Sequence, residues 1–225
     1  MHMLRKHWLR IVTHIGAWIP LAQLLWDARI DNLTFNPIQE ITYRTGKSAL
    51  IMLLLSLACT PINTIFGLKQ VLPLRRPLGL YAFAYAALHL GIFVYLDYGL
   101  DPELIREAIV EKRYVLVGFT AFLLLTPLAI TSTKSSMRRL GKRWKQLHRL
   151  VYLAAPLVIL HYVWLVKADV RKPLAYGAAV ALLLLLRTPA VRRGITRFRQ
   201  QVAGAKPSTT HSPATNTAAG GDVPR

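Results

Sequence analysis

The chain has 225 residues, of which 53% are hydrophobic, and its formal net charge is +19. Its long apolar runs with few charges exclude a soluble globular core and predict an all-α integral membrane protein. The excess of positive charge is therefore read as a topology signal beside lipid, and we expect no nucleic-acid partner.

Six apolar runs predict six transmembrane helices, at residues 8–26, 49–66, 78–98, 114–130, 147–166 and 173–186. A helix needs about 20 residues to cross a bilayer, so the short last run depends on snorkelling of Lys172 and Arg187. We predict a cytoplasmic N-terminus at residues 1–7 and a six-helix domain at residues 8–198. Residues 199–225 are rich in Ala, Gly, Pro, Ser and Thr, which predicts a disordered cytoplasmic tail.

The connecting segments alternate in charge. The N-terminal segment through Arg10, the loops at residues 67–77 and 131–149, and the tail after Leu186 hold 20 of the 29 Lys and Arg residues. The other three connections hold nine of the ten Asp and Glu residues. By the positive-inside rule both termini are predicted to be cytoplasmic. The basic loop at 131–149 is a candidate docking surface for an acidic cytoplasmic donor, and the acidic segment at 97–111 for an outer partner.

Three histidines, His89, His148 and His161, lie in these apolar runs, where an ionisable side chain is costly and calls for a function. Neutral imidazole is a common axial ligand of haem iron. A rise of about 1.5 Å per residue places His89 and His161 each about 20 Å from the inner boundary, on helices of the same direction. This matched depth predicts that the pair holds one haem between facing helices, in the outer half of the membrane.

A second, inner haem would use His148, which lies about 20 Å closer to the cytoplasm than the deeper histidine of its helix. The second axial ligand of this inner haem is not assigned. His14 lies at a comparable depth and is a candidate ligand or quinone-binding residue, with interfacial packing as the alternative. Arg75 and Arg76 occupy that depth on the third helix and are candidates to meet haem propionates.

Helix geometry weighs against this inner site. On a straight helix His148 and His161 lie about 140° apart, so two haems require a local adjustment, for which Pro156 is the candidate. The alternative for all these histidines is a proton relay in a haem-free transporter or scaffold. The chain has a single cysteine, Cys59, which excludes an internal disulfide. No nucleotide-binding motif and no internal repeat is apparent, so the electron donor and final catalyst are expected to be other molecules.

Several motifs follow one another in a specific order. They are RTGKSAL (44–50), TPIN (60–63), RRPLGLYAFAYAALHL (75–90), LAITST (128–133), LGKRWKQLHRLVYL (140–153) and HYVWLVK (161–167). Together they resemble the MsrQ family, also called YedZ, over roughly residues 8–200. This family belongs to the ferric-reductase-like membrane domains.

The resemblance implies a function and a partner. MsrQ is the haem-binding subunit of the MsrPQ methionine sulfoxide reductase system in the bacterial inner membrane. It takes electrons from the quinone pool or a cytoplasmic flavin reductase. It passes them through b-type haem to MsrP, a periplasmic molybdopterin enzyme that repairs oxidised proteins, so no catalytic residue is assigned in this chain.

The resemblance also implies a ligand set. The haem histidines of the family correspond to His89, His148 and His161, and FMN is associated with the family without a residue assigned here. Related oxidase domains carry two histidines on the third helix, where this chain has only His89, so one haem is expected and a second is left open. A stand-alone cytochrome b linked to ferric iron or quinone is the alternative function.

Overall fold

The computed structural model describes residues 2–166 and 168–204, and these residues are helical without a β-strand. The α-helices of the described chain are α1 (His2–Arg29), α2 (Pro37–Phe66), α3 (Arg75–Ile92), α4 (Pro102–Glu111), α5 (Arg113–Ile130), α6 (Lys134–Leu140), α7 (Lys142–Leu147), α8 (Val151–Leu165), α9 (Arg171–Leu185) and α10 (Pro189–Gly204). Short 3-10 helices at Lys69–Leu74 and His148–Leu150 precede α3 and α8. A π-helical segment, Phe93–Asp97, extends α3.

Four helical segments of the described chain are long and apolar enough to cross a membrane: Pro37–Phe66, Lys69–Asp97, Arg113–Ile130 and Lys142–Leu165. Helix α9 and the first part of α10 form a fifth if their 71° bend is counted as one broken span. The predicted all-helical membrane architecture is confirmed. The structure supports four to five spans, whereas six spans with both termini inside stay a prediction, because α1 covers the first predicted run without meeting the same criterion.

Large apolar side chains lie exposed on the outside of the spans. Leu116 and Leu123 on α5 are 47% and 52% exposed, and Leu182 on α9 is 55% exposed. Contiguous apolar surface of this kind indicates contact with lipid. The chain is therefore a multi-pass membrane protein.

Two helical hairpins form the centre of the molecule: the first is α2 with α3, the second is α5 with α8. Asn36 caps α2 by accepting a hydrogen bond from the Gln39 amide, so this helix begins well before the predicted boundary at residue 49. The core between the hairpins and their neighbours contains the buried side chains of Leu57, Ala82 and Ala155.

Helix α1 contacts both helices of the first hairpin. The Tyr85 hydroxyl on α3 donates a hydrogen bond of 2.6 Å to the Ala17 carbonyl. Near the C-terminal end of α1, Asp27 forms an ion pair with Arg44 on α2, which also contacts Glu40 at 2.6 Å. The Arg44 guanidinium holds the pKa of Asp27 below its ordinary value.

An arginine distant in sequence supplies a hydrogen bond that α2 lacks. Pro61 lacks an N–H, so the Leu57 carbonyl one turn earlier has no partner within the helix. Arg187, just after α9, donates to this carbonyl from Nη2 at 2.6 Å and from Nε at 3.1 Å. The sequence predicted a snorkelling Arg187, but its head group reaches back into the bundle.

Helix α10 extends through residues 199–204, which the sequence analysis placed in the tail. The remainder of the predicted disordered tail, residues 205–225, lies outside the described residues.

Candidate functional site

A cavity of about 1010 Å³ lies between the two hairpins. Small residues leave this space open: Gly46 on α2, Ala82 and Ala86 on α3, and Gly118 and Ala121 on α5. Its volume reaches the upper end of the roughly 300–1,000 Å³ typical of small-molecule sites. The cavity can therefore hold a large, mostly apolar group.

His89 and His161 face one another across this cavity. His89 projects from α3 and His161 from α8, and their ring centroids are 6.1 Å apart with an angle of 82° between the ring planes. The structure thus brings together the two histidines that were predicted to lie at the same depth in the membrane.

The hydrogen bonds of the two rings fix their tautomers. His89 Nδ1 is 2.9 Å from the Thr42 carbonyl, and His161 Nδ1 is 2.6 Å from the Tyr114 carbonyl. A carbonyl only accepts, so each Nδ1 carries the proton and donates. In a neutral ring the lone pair is then on Nε2, which is the arrangement of a metal-binding histidine with its second nitrogen held by a carbonyl.

This pair of donors suits a haem. Two metal–nitrogen bonds of about 2 Å each, together with the two ring radii, span about 6 Å, close to the separation of the imidazoles. Among the described residues no group of three or more His, Cys, Asp or Glu could hold a metal ion. Two axial imidazoles suffice for haem iron, because the porphyrin supplies the other four nitrogens.

Four residues around the imidazoles were missed by sequence reasoning: Thr42, Gly46, Tyr114 and Gly118. The first two lie before residue 49, in a stretch predicted to connect two spans, and the structure places them in α2. A hydropathy pattern carries no signal for them, because their role depends on a backbone carbonyl and on a missing side chain.

The mouth of the cavity beside α4 is polar and is covered by that helix. Ile105 and Ile109 of α4 line the cavity, as do Lys47 and Lys112. Lys112 donates a hydrogen bond of 2.8 Å to the Tyr98 hydroxyl, and this contact raises the pKa of the lysine. Helix α4, which lies in the segment predicted as an acidic docking surface, therefore covers one end of the cavity.

Arg75 and Arg76 were predicted as propionate contacts of an inner haem, and that prediction is not tested by this cavity. Neither arginine lines the cavity, and both are exposed at the start of α3. The Lys and Arg residues that line the cavity are Lys47 and Lys112.

His148 has different partners from the facing pair. Its Nε2 is 3.2 Å from the Thr131 hydroxyl, which donates its own proton to the Pro127 carbonyl at 2.6 Å. A hydroxyl has one proton, so Thr131 accepts from His148 and the Nε2 of this histidine is protonated. The Trp144 ring stacks on the imidazole with centroids 3.9 Å apart. His148 does not line the cavity.

Two further features concern the predicted inner site. His14 contacts the Tyr81 hydroxyl through Nδ1 at 2.9 Å and does not line the cavity. The chain leaves α-helical geometry at His148–Leu150, while Pro156 lies inside α8. His148 therefore stands in a 3-10 turn, which changes the angular relation calculated for a straight helix.

Comparisons with known proteins agree with these features. The family described as "Ferric reductase like transmembrane component" matches residues 45–159. The "Protein-methionine-sulfoxide reductase heme-binding subunit MsrQ" of Xanthomonas campestris pv. campestris (strain 8004) is 44% identical over 181 residues, which cover 78% of this chain and 83% of the relative. The protein of the same name from Bordetella pertussis is 42% identical over 187 residues, covering 81% and 91%. No solved structure matches the chain.

Proposed function

Since the chain belongs to the family of MsrQ heme-binding subunits of protein-methionine-sulfoxide reductases, we propose that it carries electrons through b-type haem across the bacterial inner membrane. The observation that supports this most is the facing pair His89 and His161, each with Nδ1 bonded to a carbonyl. The membrane-spanning bundle supports the electron-transfer role of a membrane subunit.

His89 and His161 would hold the haem iron in the cavity. When bound there, haem supplies reversible one-electron redox chemistry. The chain itself orients the two imidazoles through Thr42 and Tyr114 and surrounds the site with apolar side chains. Such a lining excludes water and lowers the local dielectric, which tunes the reduction potential of a bound group.

We propose one haem per chain. The protonated Nε2 and the stacked indole of Trp144 give His148 a structural role in the inner helix turn. FMN remains an expectation from the resemblance, because no residue of this chain is assigned to it.

Electrons would enter on the inner side, from quinones or a cytoplasmic flavin reductase. The orientation is supported by the distribution of Lys and Arg, with both termini on the cytoplasmic side. Exposed cations of α6 and α7, such as Arg138, Arg139 and Lys142, support docking of an acidic donor there.

Electrons would leave on the outer side, to a periplasmic molybdopterin methionine sulfoxide reductase of the MsrP type. Helix α4 is the proposed docking face. Its apolar side reaches the cavity through Ile105 and Ile109, while Glu103 and Glu107 on its other side are exposed. A partner on this helix would therefore stand close to the facing histidines.

The first experiment is a dithionite-reduced minus oxidised absorbance spectrum of the detergent-purified protein, with haem quantified as the pyridine haemochrome. We expect b-type bands and one haem per chain, and loss of most haem in His89→Ala and in His161→Ala. His14→Ala is the matched control and should keep its haem. A folded, colourless wild-type protein from haem-sufficient cells would favour a haem-free transporter or scaffold instead. Haem that is reduced but passes no electrons to such a reductase would favour the stand-alone cytochrome.

A further inference from the structure

The two hairpins hold their histidines in the same way. In each, the carbonyl that accepts from Nδ1 belongs to a residue 47 positions before the histidine. A glycine stands four positions after each carbonyl, Gly46 after Thr42 and Gly118 after Tyr114. The carbonyl, the glycine and the histidine therefore have the same spacing in sequence in both hairpins.

Each of these glycines lies directly against an imidazole. A Cβ atom added to Gly46 would be 3.1 Å from both Nδ1 and Cε1 of His89. A Cβ atom added to Gly118 would be 2.5 Å from Nδ1 and 2.8 Å from Cε1 of His161. The missing side chains thus create the space that the two rings occupy.

We propose that Gly46 and Gly118 are positioning residues that set the rotation of the two haem-binding imidazoles. This inference rests on the proposed ligand role of His89 and His161. Without a Cβ atom, each ring can approach the neighbouring helix closely enough to donate Nδ1–H to the carbonyl one turn earlier. That contact fixes the tautomer and directs the Nε2 lone pair away from the backbone.

The two sites differ in how much space they leave. Alanine at position 46 requires the ring of His89 to shift by a few tenths of an ångström, because the contact of 3.1 Å is tight but not forbidden. Alanine at position 118 meets the imidazole at 2.5 Å, so the ring must rotate or leave its carbonyl partner. The second hairpin should therefore be the more sensitive one.

The test compares Gly118→Ala, Gly46→Ala and Gly91→Ala. Gly91 is the matched control, because it also lies inside a membrane helix, α3, and a Cβ atom there would meet nothing within 4 Å. Alanine has the higher helix propensity at all three positions, so the intrinsic backbone effect has the same direction. The readouts are haem per chain, the low-spin EPR g values, which depend on the orientation of the axial imidazole planes, and the midpoint potential.

We expect Gly91→Ala to match the wild type in all three readouts. Gly46→Ala should keep its haem with shifted g values and a shifted potential, and Gly118→Ala should lose most of its haem. If Gly118→Ala misfolds, Gly118→Ala/His161→Gly supplied with imidazole should fold, because a free ring is not tethered against residue 118. Gly46→Ala tests the inference independently, since a shift of a few tenths of an ångström leaves the helix able to form.

Two failures are distinguishable. Full haem in His161→Ala would remove the ligand assignment and with it the proposed function. Loss of haem in His161→Ala, combined with glycine variants that all match Gly91→Ala in g values and potential, would overturn the positioning role alone.

Discussion

His161 and His148 belong to one helical segment, Lys142–Leu165, and yet their surroundings are opposite. His161 donates from Nδ1 to a carbonyl and lies at a large cavity with a second imidazole beyond it. His148 donates from Nε2 to a threonine hydroxyl and lies under an indole ring. The first arrangement leaves the metal-binding nitrogen available, and the second occupies it.

The difference teaches that depth in the membrane selects candidate ligands without deciding between them. Both histidines sit where an ionisable side chain is costly. What separates them is which nitrogen is bonded and whether space is left opposite the other nitrogen. Three changes to the chain test this distinction, and a fourth tests the attachment of α1 beside the cavity.

Filling the cavity should have the largest effect. Ala86→Phe places a ring in the cavity that the two imidazoles line, so we expect most haem to be lost while the helices remain. Overpacking of this kind also costs about 1–3 kcal/mol of stability. Ala84→Phe is the matched control, because Ala84 is exposed on the same helix and does not line the cavity. Equal haem content in the two variants, measured as pyridine haemochrome, contradicts the placement of haem in this cavity.

Removal of the inner histidine should leave the haem in place. His148→Ala deletes one hydrogen bond and the stacking with Trp144, which together cost about 1–3 kcal/mol. We therefore expect a lower melting temperature with unchanged haem per chain and an unchanged absorbance spectrum. His14→Ala serves as the control for loss of a histidine outside the cavity. A fall of haem per chain to half of the wild-type value would show that His148 holds a second haem.

Removing the hydrogen-bond acceptor of His148 tests whether that bond alone separates His148 from His161. Thr131→Val removes the acceptor of the His148 Nε2 proton and costs about 1 kcal/mol. Since the Trp144 ring still covers the imidazole, we expect no additional haem. Haem titration of the purified variant measures this directly. Binding of a second equivalent would mean that the threonine alone keeps the inner histidine from acting as a ligand.

The smallest effect concerns the ion pair at the C-terminal end of α1. The folded-state pKa of Asp27 is lowered by Arg44, so the pair contributes stability above the unfolded pKa of about 3.9. This contribution is lost as the pH falls through the lowered, folded-state pKa. Wild type should therefore melt slightly above Asp27→Asn at neutral pH, and the two curves should converge in acid. A difference that persists at the lowest accessible pH argues against the ion pair as its cause.

Much of the site could be predicted from the sequence, for a physical reason. Hydropathy places helices and their depth, and depth alone pairs His89 with His161. The acidic segment at residues 97–111 also stands out by its charge, and α4 lies within it. The predicted ligand roles themselves await the experiments above.

The remainder depended on contacts that leave no pattern in one sequence. A hydropathy boundary near residue 49 hid the polar first turns of α2, where Thr42 and Gly46 stand. No internal repeat was apparent, because the relation between the hairpins rests on three positions separated by unrelated residues. The orientation of His148 depends on a 3-10 turn that helix periodicity cannot indicate.

The bond from Arg187 to the Leu57 carbonyl has a consequence for biogenesis. During synthesis the α2 segment enters the bilayer long before residue 187 leaves the ribosome. The Leu57 carbonyl therefore lacks its hydrogen bond from the Arg187 guanidinium until that residue has been made. An unbonded carbonyl in hydrocarbon is costly. Only the arrival of α9 and the residue that follows it therefore completes the hydrogen bonding of α2, which entered the bilayer much earlier.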